Sequence, residues 1–237
     1  MSHRWTALAA VLGLSLGCAP TNVVTTYSQS IAMPNPAEAL VYDFACAPDE
    51  VHLDRGVVGM AEQRISHKTP TQLERGVCHQ VAKALSQQLA NKITAMGLPA
   101  RRVWGMPARW GNVVVIEGQL VSINEGNQAE RIVIGLSAGA SDVRAISQLF
   151  AATPGGLTLL EQFDSSVSSG YMPGMAETMG AGAIGGHLAV AAAAGVITHG
   201  VGEEFSADVD AEARRTANAV ANQLQPYFQS HGWLGPM

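Results

Sequence analysis

Charged side chains are scarce in this chain of 237 residues. Asp, Glu, Lys and Arg make up 14% of it, whereas about 25% is usual for a soluble domain. The formal net charge is −5, and no cluster of Lys and Arg marks a patch for anionic lipid or nucleic acid. The low and mildly acidic charge argues against a nucleic-acid partner.

Groupings of residues that would hold a metal or a cofactor are also missing. The seven histidines are scattered, and His199 with Glu203 supplies only two potential ligands, too few for a metal site. Residues 180–185 fit the pattern G-x-G-x-x-G, but the residues before them do not form the strand that a dinucleotide site requires. We therefore expect neither a metal nor a cofactor.

The first 17 residues are typical of a secretory signal. Arg4 supplies a positive charge, residues 5–14 are apolar, and small residues precede Cys18. This ending resembles the lipobox of bacterial lipoproteins, in which the cysteine becomes the lipidated first residue of the mature chain. Plain secretion, with Cys18 incidental, is the alternative. Ala19 replaces the Asp typical of inner-membrane retention, which favours the periplasmic face of the outer membrane.

Two cysteines remain after the signal, Cys46 and Cys78. An oxidising compartment permits a disulfide between them, which would close a loop of about 33 residues. Two buried free thiols are the alternative. The chain has no C-x-x-C pair, which argues against redox catalysis.

Changes in composition divide the chain into five parts. Residues 18–38 carry three prolines and many small polar residues without periodicity, so they are predicted to be a flexible tether. The parts are a signal peptide (1–17), the tether (18–38), an α+β core domain (39–167), a Gly/Ala-rich segment (168–204) and a C-terminal helix that completes the domain (205–237).

The Gly/Ala-rich segment has no acidic or basic side chain between Glu177 and Glu203. Its length and a G-x-x-x-G spacing at Gly182 and Gly186 are compatible with membrane insertion or pore lining. Against insertion, Gly and Ala enter bilayers weakly and two histidines fall inside. A tightly packed helix or loop, membrane insertion and disorder remain the three alternatives.

A long helix is predicted to begin after Thr69. Thr69 suits the N-cap, Pro70 the first helical position, and Gln72 the third position of a capping box. Apolar residues then recur at every fourth position. Gly97 lies where a helix-ending glycine belongs. This helix should cover one face of a sheet.

The remaining pattern predicts an α+β fold, with an antiparallel sheet in the order strand, helix, meander. Alternating residues indicate the strands of the sheet, and Gly- and Asn-rich turns separate them. In one strand the alternation places Val113 and Ile123 on the same face. The predicted strands are 39–45, 112–123, 130–134, 142–152 and 157–167.

A C-terminal helix is predicted to pack on the same sheet. Asp208 or Asp210 would cap it, Pro226 should end or kink it, and Trp233 should anchor the chain after it. The inward residues would be Ala213, Ala217, Val220, Ala221 and Leu224.

The stretch 126–143 combines a turn with a cluster of small residues. Gly126 and Asn127 suit the turn, and Gly135 and Gly139 suit a bend in which the backbone passes closely. Residues 135–139 also fit G-x-S-x-G, and Ser137, Asp164 and His187 follow the chain order of a hydrolase. That motif requires a following helix, whereas the residues here alternate like a strand. We therefore expect no catalytic residues.

Several of these segments together resemble a bacterial lipoprotein family of unknown function, domain-of-unknown-function family 4410. They are VYDFACAPDEVHLD, GN..ER..IGLSAGASDVR, SSGYMPG and the terminal HGWL. The resemblance covers about residues 39–235. It implies a secreted, lipid-anchored envelope protein and implies no established activity.

The expected function is thus a non-enzymatic one. The chain would be held to the membrane by lipid on Cys18 and act through unidentified envelope proteins, with homo-oligomers possible. A first alternative is a subunit of an oligomeric secretion or pore complex that uses the Gly/Ala-rich segment. A second alternative is a serine hydrolase that uses Ser137.

Overall fold

The computed structural model describes residues 21–54, 56, 60, 64, 67–104, 112–127, 140–169 and 207–234. These residues form seven strands, two long helices and one short 3₁₀ helix (Pro48–Glu50). The strands are β1 (Thr21–Ser28), β2 (Glu38–Tyr42), β3 (Val51–His52), β4 (Ala100–Val103), β5 (Val113–Asn124), β6 (Asp142–Thr153) and β7 (Gly156–Ser168). The helices are α1 (Pro70–Ala95) and α2 (Ala207–Ser230).

All seven strands belong to one mixed sheet. Its order is β1-β7-β6-β5-β2-β4, and β3 pairs with β5. The predicted α+β class is confirmed, but a purely antiparallel sheet is wrong, because β2 is parallel to both β4 and β5. Helix α1 connects β2 to β4, and a helical crossover lets a strand return in the same direction.

Helix α1 begins and ends as predicted. The hydroxyl of Thr69 accepts a hydrogen bond from the backbone N–H of Gln72 at 3.3 Å, and the Gln72 side chain accepts one from the N–H of Thr69 at 2.9 Å. These reciprocal bonds form the capping box. Gly97 has a φ of 102°, which suits the glycine that follows a helix.

Helix α2 extends past the proline that was expected to end it. The helix continues through Pro226 to Ser230, where Phe228 and Trp233 are buried and hold its last turn on the core. Asp210 is inside the helix and pairs with Arg214 at 2.8 Å, so it is not the cap. The inward positions are confirmed, since all five predicted side chains are fully buried.

Both helices pack on one face of the sheet. The main core combines their apolar side chains with the alternate residues of β2, β5, β6 and β7 that point to that face. Fully buried members from the sheet and helices include Leu85, Leu89, Ile93, Leu120, Leu149, Phe163, Val220 and Phe228. The trailing Trp233 joins this core, as expected.

A bulge in β5 alters the predicted alternation of side chains. The pairing of β5 with β6 shifts between Leu120 and Ser122, which inserts one extra residue and exchanges the two faces. Ile123 therefore points into the main core, whereas Val113 contributes to a second apolar cluster with Leu40. Placing Val113 and Ile123 on one face was wrong for this reason.

The segment predicted to be a tether contains strand β1. Residues Thr21–Ser28 pair antiparallel with β7 along their whole length, with one bulge. The run TNVVTTYS is rich in Thr, Val and Tyr, which favour strands, and β7 offers it an unpaired edge. For these eight residues the flexible tether is wrong, and ordered sheet structure begins three residues after Cys18.

The antiparallel meander consists of β5, β6 and β7. Strand β5 pairs with β6, from Asn124 opposite Asp142 onwards. The hairpin partner expected at 130–134 lies outside the described residues. The tight turn between β6 and β7 is present, and Gly156 in it has a φ of 116°.

Candidate functional site

Several strands end together at one end of the sheet, here called the Thr21 end. Asp142 lies opposite Asn124 on one side and Ser168 on the other. Thr21 lies opposite Val167 in the neighbouring strand. The chain thus enters β1, and leaves β5 and β7, at the same end of the sheet.

Two serines join β6 and β7 beyond their last paired residues. The N–H of Ser141 donates to the hydroxyl of Ser169 at 3.0 Å, and the N–H of Ser169 donates to the carbonyl of Ser141 at 2.8 Å. The hydroxyl of Ser141 in turn donates to Glu212 Oε1 on α2 at 2.5 Å. We call Ser141, Ser169 and Glu212 the serine clasp.

Glu212 is a fully buried carboxylate at the beginning of α2. Besides the Ser141 hydroxyl, a guanidinium nitrogen of Arg215 lies 3.3 Å from its Oε1 atom. Burying a carboxylate is costly unless charge and hydrogen bonds compensate it. These partners supply that compensation and fix α2 against the ends of β6 and β7, a structural role for the clasp.

A second polar group at this end fixes the chain after β5. Gly126 adopts a φ of 70°, and its N–H donates to the Asn124 side chain at 2.9 Å. The buried Glu125 accepts from the N–H of Asp54 at 3.1 Å, and Asp54 accepts from the N–H of Gly56 at 2.6 Å. Both carboxylates bind backbone and hold the turn in place.

Gly56 and Asn127 lie in close contact within this group. A Cβ atom at Gly56 would lie 2.8 Å from Asn127 Oδ1 and 2.9 Å from Asp54 Oδ1. A side chain at position 56 would therefore displace the ends of these two side chains. The pKa of Asp142, the first residue of β6, is raised. Burial raises it and outweighs the hydrogen bond with Asn124 and the charges of Arg144 and His52, which lower it.

Most of the candidate residues from the sequence lie outside the described part of the chain. These are Cys18, Gly135, Ser137, Gly139, His187 and the segment 180–202. Asp164 is described, and its carboxylate lies 4.0 Å from Arg144 with both side chains about half exposed. Within the described ranges, no three His, Cys, Asp or Glu side chains are grouped for a metal, and neither helix is long and apolar enough to span a membrane.

Cys46 and Cys78 are joined by a disulfide, with their Cα atoms 5.8 Å apart. The bond connects the chain after β2 to the first half of α1. The sequence left this pairing open against two free thiols.

The serine clasp was not found by sequence reasoning. Ser141 and Glu212 are 71 residues apart, and neither residue stands in a local pattern that predicts the contact. The only available signal was that Ser141 belongs to the segment AGASDVR that carries the family resemblance.

Replacing Ser141 with alanine should lower the free energy of unfolding by about 1.5–3 kcal/mol, because a hydrogen bond to a buried charged group is lost. The control is Ser147→Ala. Ser147 is about as deeply buried, on strand β6, but its hydroxyl makes no hydrogen bond, so its loss should be neutral or slightly stabilising. Urea denaturation of both variants measures the difference, and equal costs would contradict a specific role for the clasp.

Comparison with known proteins gives a family and 17 chains of solved structures, of which two PelC structures are examples. A PelC dodecamer from Paraburkholderia phytofirmans is 11% identical with a TM-score of 0.37, covering 87% of this chain and 96% of that chain. A single-residue variant of the same dodecamer is 12% identical with a TM-score of 0.35 and the same coverage. No curated protein matches the chain. The family model described as Domain of unknown function (DUF4410) matches residues 39–186, more than half of the chain, and the protein belongs to that family.

Proposed function

We propose that this protein is a lipid-anchored module of the bacterial envelope that lies directly against the membrane and works by binding partners, without catalysis. The observation that carries the proposal is the position of β1. Its first residue, Thr21, is already paired in the sheet, and Cys18 precedes it by three residues.

The short connection limits how far the domain can move from its anchor. Three extended residues span at most about 10 Å, whereas the 21-residue tether expected from the sequence would span about 70 Å. A lipid on Cys18 would therefore hold the Thr21 end of the sheet close to the lipid headgroups. Such an arrangement suits a module that presents a fixed surface at the membrane.

The chemistry of the Thr21 end supports a binding role over a catalytic one. A general acid or base must reach a substrate proton in a cleft. The carboxylates of Glu212, Glu125 and Asp54 are instead buried, and each holds backbone or a serine hydroxyl of the same domain. Their contacts support the scaffold.

An exposed tryptophan at the sheet edge provides a candidate contact for a partner. Trp104 follows β4 and is 80% exposed. The guanidinium of Arg102 lies 5.1 Å from its ring centre, and both oxygens of Asp43 hold that guanidinium at 2.5 Å. Trp and Arg are the residues most enriched at the energetic centres of protein interfaces. The Asp43 carboxylate thus holds the Arg102 guanidinium over the Trp104 ring before a partner binds.

The anchor is tested by Cys18→Ala. We expect the wild-type protein in the outer-membrane fraction, with a mature mass that includes acyl chains, and the variant in the soluble or unprocessed fraction. Ala19→Asp is the matched control, since it keeps the cysteine and should move the protein to the inner membrane. A wild-type protein that carries no acyl mass would overturn the anchor.

The binding role is tested on the same strains by affinity capture from envelope extract. Proteins captured by the wild type should be lost with Trp104→Ala and retained with Leu157→Ala, a less exposed apolar side chain on another strand. Identical captures from all three would contradict Trp104 as the contact. Turnover of ester or amide substrates by the purified protein would contradict a non-catalytic role.

A further inference from the structure

The residues that follow β1 meet the end of α2 in a compact cluster of polar and aromatic groups. The two partners come from opposite ends of the chain, since Ser30 and His231 are separated by 201 positions. We call this cluster the strand latch, and it consists of Ser28, Gln29, Ser30, Glu161, Tyr227 and His231.

Direct hydrogen bonds hold the latch closed. The hydroxyl of Ser28 donates to Glu161 Oε1 at 3.0 Å. The N–H of Gln29 donates to the carbonyl of Leu160 at 2.8 Å, and the phenol of Tyr227 donates to the carbonyl of Gln29 at 2.9 Å. The last residue of β1 is thus fixed to β7, and the residue after it is fixed to both β7 and α2.

His231 lies directly after α2 and contacts both Tyr227 and Ser30. Its ring stacks on Tyr227 with centres 4.2 Å apart, and Nδ1 lies 2.8 Å from the Tyr227 carbonyl. A carbonyl can only accept, so Nδ1 carries a hydrogen. Nε2 lies 2.8 Å from the Ser30 hydroxyl, so the ring joins the end of α2 to the chain that follows β1.

Glu161 is the buried carboxyl of the latch, and its Oε2 atom has no hydrogen-bond partner among the residues that the structure describes. The side chain comes from β7 and is largely buried. Burial raises its pKa, while the Ser28 hydroxyl and the charge of His231 lower it. The other titratable neighbour, Tyr227, remains a neutral donor, because burial and then the charge of Glu161 raise its pKa to about 12.

We propose that the strand latch is a pH-dependent release for β1, closed in acid and progressively looser as the pH rises. Strand β1 is suited to release, because seven of its eight residues are exposed. The consequence for anchoring rests on the proposed function. Release would add eight residues to the connection and extend its reach by roughly 26 Å, converting the strand into the tether that its composition suggests.

Proton linkage predicts how the opening equilibrium of the strand latch changes with pH. The closed latch holds the Glu161 proton more tightly than the open one, where the carboxyl has its ordinary pKa of about 4.3. The opening equilibrium should therefore increase from that pH up to the raised pKa of the closed state, by at most about tenfold per pH unit, and remain constant above it.

Hydrogen exchange on the full mature lipoprotein in detergent micelles tests this proposal between about pH 4 and 8, with rates corrected for the intrinsic effect of pH on exchange. Protection of residues 21–31 should fall with rising pH, relative to the Leu120 N–H that binds the Ala45 carbonyl. Glu161→Gln should abolish that fall. Asp142→Asn removes another carboxyl whose pKa burial raises, and it should leave the fall unchanged.

Further results of the exchange experiment test the strand latch. Ser28→Ala removes the donor to Glu161 without changing any charge, so it should lower protection at every pH. A wild-type profile that is flat, or a Glu161→Gln profile that still falls like the wild type, overturns the latch. The mass of the same sample shows whether Cys18 is acylated, so a failed anchor is distinguished from a failed latch.

Discussion

Replacing Gly118 with alanine is expected to lower the free energy of unfolding by about 3 kcal/mol or more. Gly118 lies in the middle of β5, opposite Ser147 of β6. A Cβ atom there would lie 2.5 Å from the carbonyl oxygen of Ile146 and closer still to the ring of Phe44. The first is backbone of the neighbouring strand and the second is a buried ring, so neither can withdraw cheaply.

A second glycine provides the control for this substitution. Gly76 lies on the exposed side of α1, where an added Cβ would meet no heavy atom within 4 Å. Gly76→Ala should therefore stabilise the protein by about 0.5–1 kcal/mol through helix propensity. Urea denaturation of both variants gives the comparison. A cost below about 1 kcal/mol at Gly118 would show that β5 and the Phe44 ring separate easily.

The contact with Phe44 can be separated from that with the backbone. Phe44→Leu should be destabilising alone, because it removes buried ring surface. In the Gly118→Ala background it should cost less, or even restore stability, since it removes one of the two overlaps. A purely additive double variant would mean that the Ile146 carbonyl carries the whole effect.

Features of the fold that depend on neighbouring residues were predictable from the sequence. The start of α1 is determined by Thr69, Pro70 and Gln72 within one turn, and its end by Gly97. Strands β5, β6 and β7 are 12, 12 and 13 residues long, and buried residues alternate with less buried ones along β6 and the second half of β7. Each of these signals lies within the helix or strand that it predicts.

Features that depend on distant partners were not predictable. Strand β1 lies within a segment that has three prolines and no periodicity, and it is ordered by pairing with β7, more than 130 residues later. The parallel pairing of β2 depends on where α1 returns the chain. The bulge at Val121 moves Ile123 into the core without any glycine or proline to indicate it.

In the candidate site, too, contacts between residues distant in sequence were not predictable. Gly126 adopts a positive φ, which suits the turn predicted there from local preferences, whereas the serine clasp and the strand latch join segments 71 and 201 residues apart. Serine, glutamate and histidine are common surface residues, so none of them indicates such a contact alone. The Trp104–Arg102 pair was missed although it is local, because exposure cannot be inferred from the residue type.

Breaking the disulfide should cost about 3–4 kcal/mol, by the chain-entropy estimate for a loop of this length. Cys46 and Cys78 are separated by 32 positions. Cys46→Ala with Cys78→Ala should lose the same stability as the wild type in reductant, because both remove the same cross-link. Alanine is preferred to serine, since Cys78 is buried and a hydroxyl there would add its own cost.

The reason to expect a large effect lies in what the disulfide encloses. Between the two cysteines, Val51 and Asp54 are buried, and most of the other described residues are exposed. The described residues of this loop therefore contribute little apolar burial, in contrast to those of β5, β6 and β7. Closing it covalently reduces the entropy of the unfolded chain without requiring any further contact.

Urea denaturation and hydrogen exchange, with and without reductant, measure the effect of the disulfide. In reductant, urea denaturation should shift to a lower midpoint, and hydrogen exchange should rise first in the described residues between 47 and 77, before the β5–β6 ladder is affected. Lys83→Ala, a change on an exposed position of α1, should leave both readouts as in the wild type. If reduction leaves the midpoint unchanged, the loop is held by its polar contacts at Asp54 and Glu125, and the cross-link adds nothing that those contacts do not already supply.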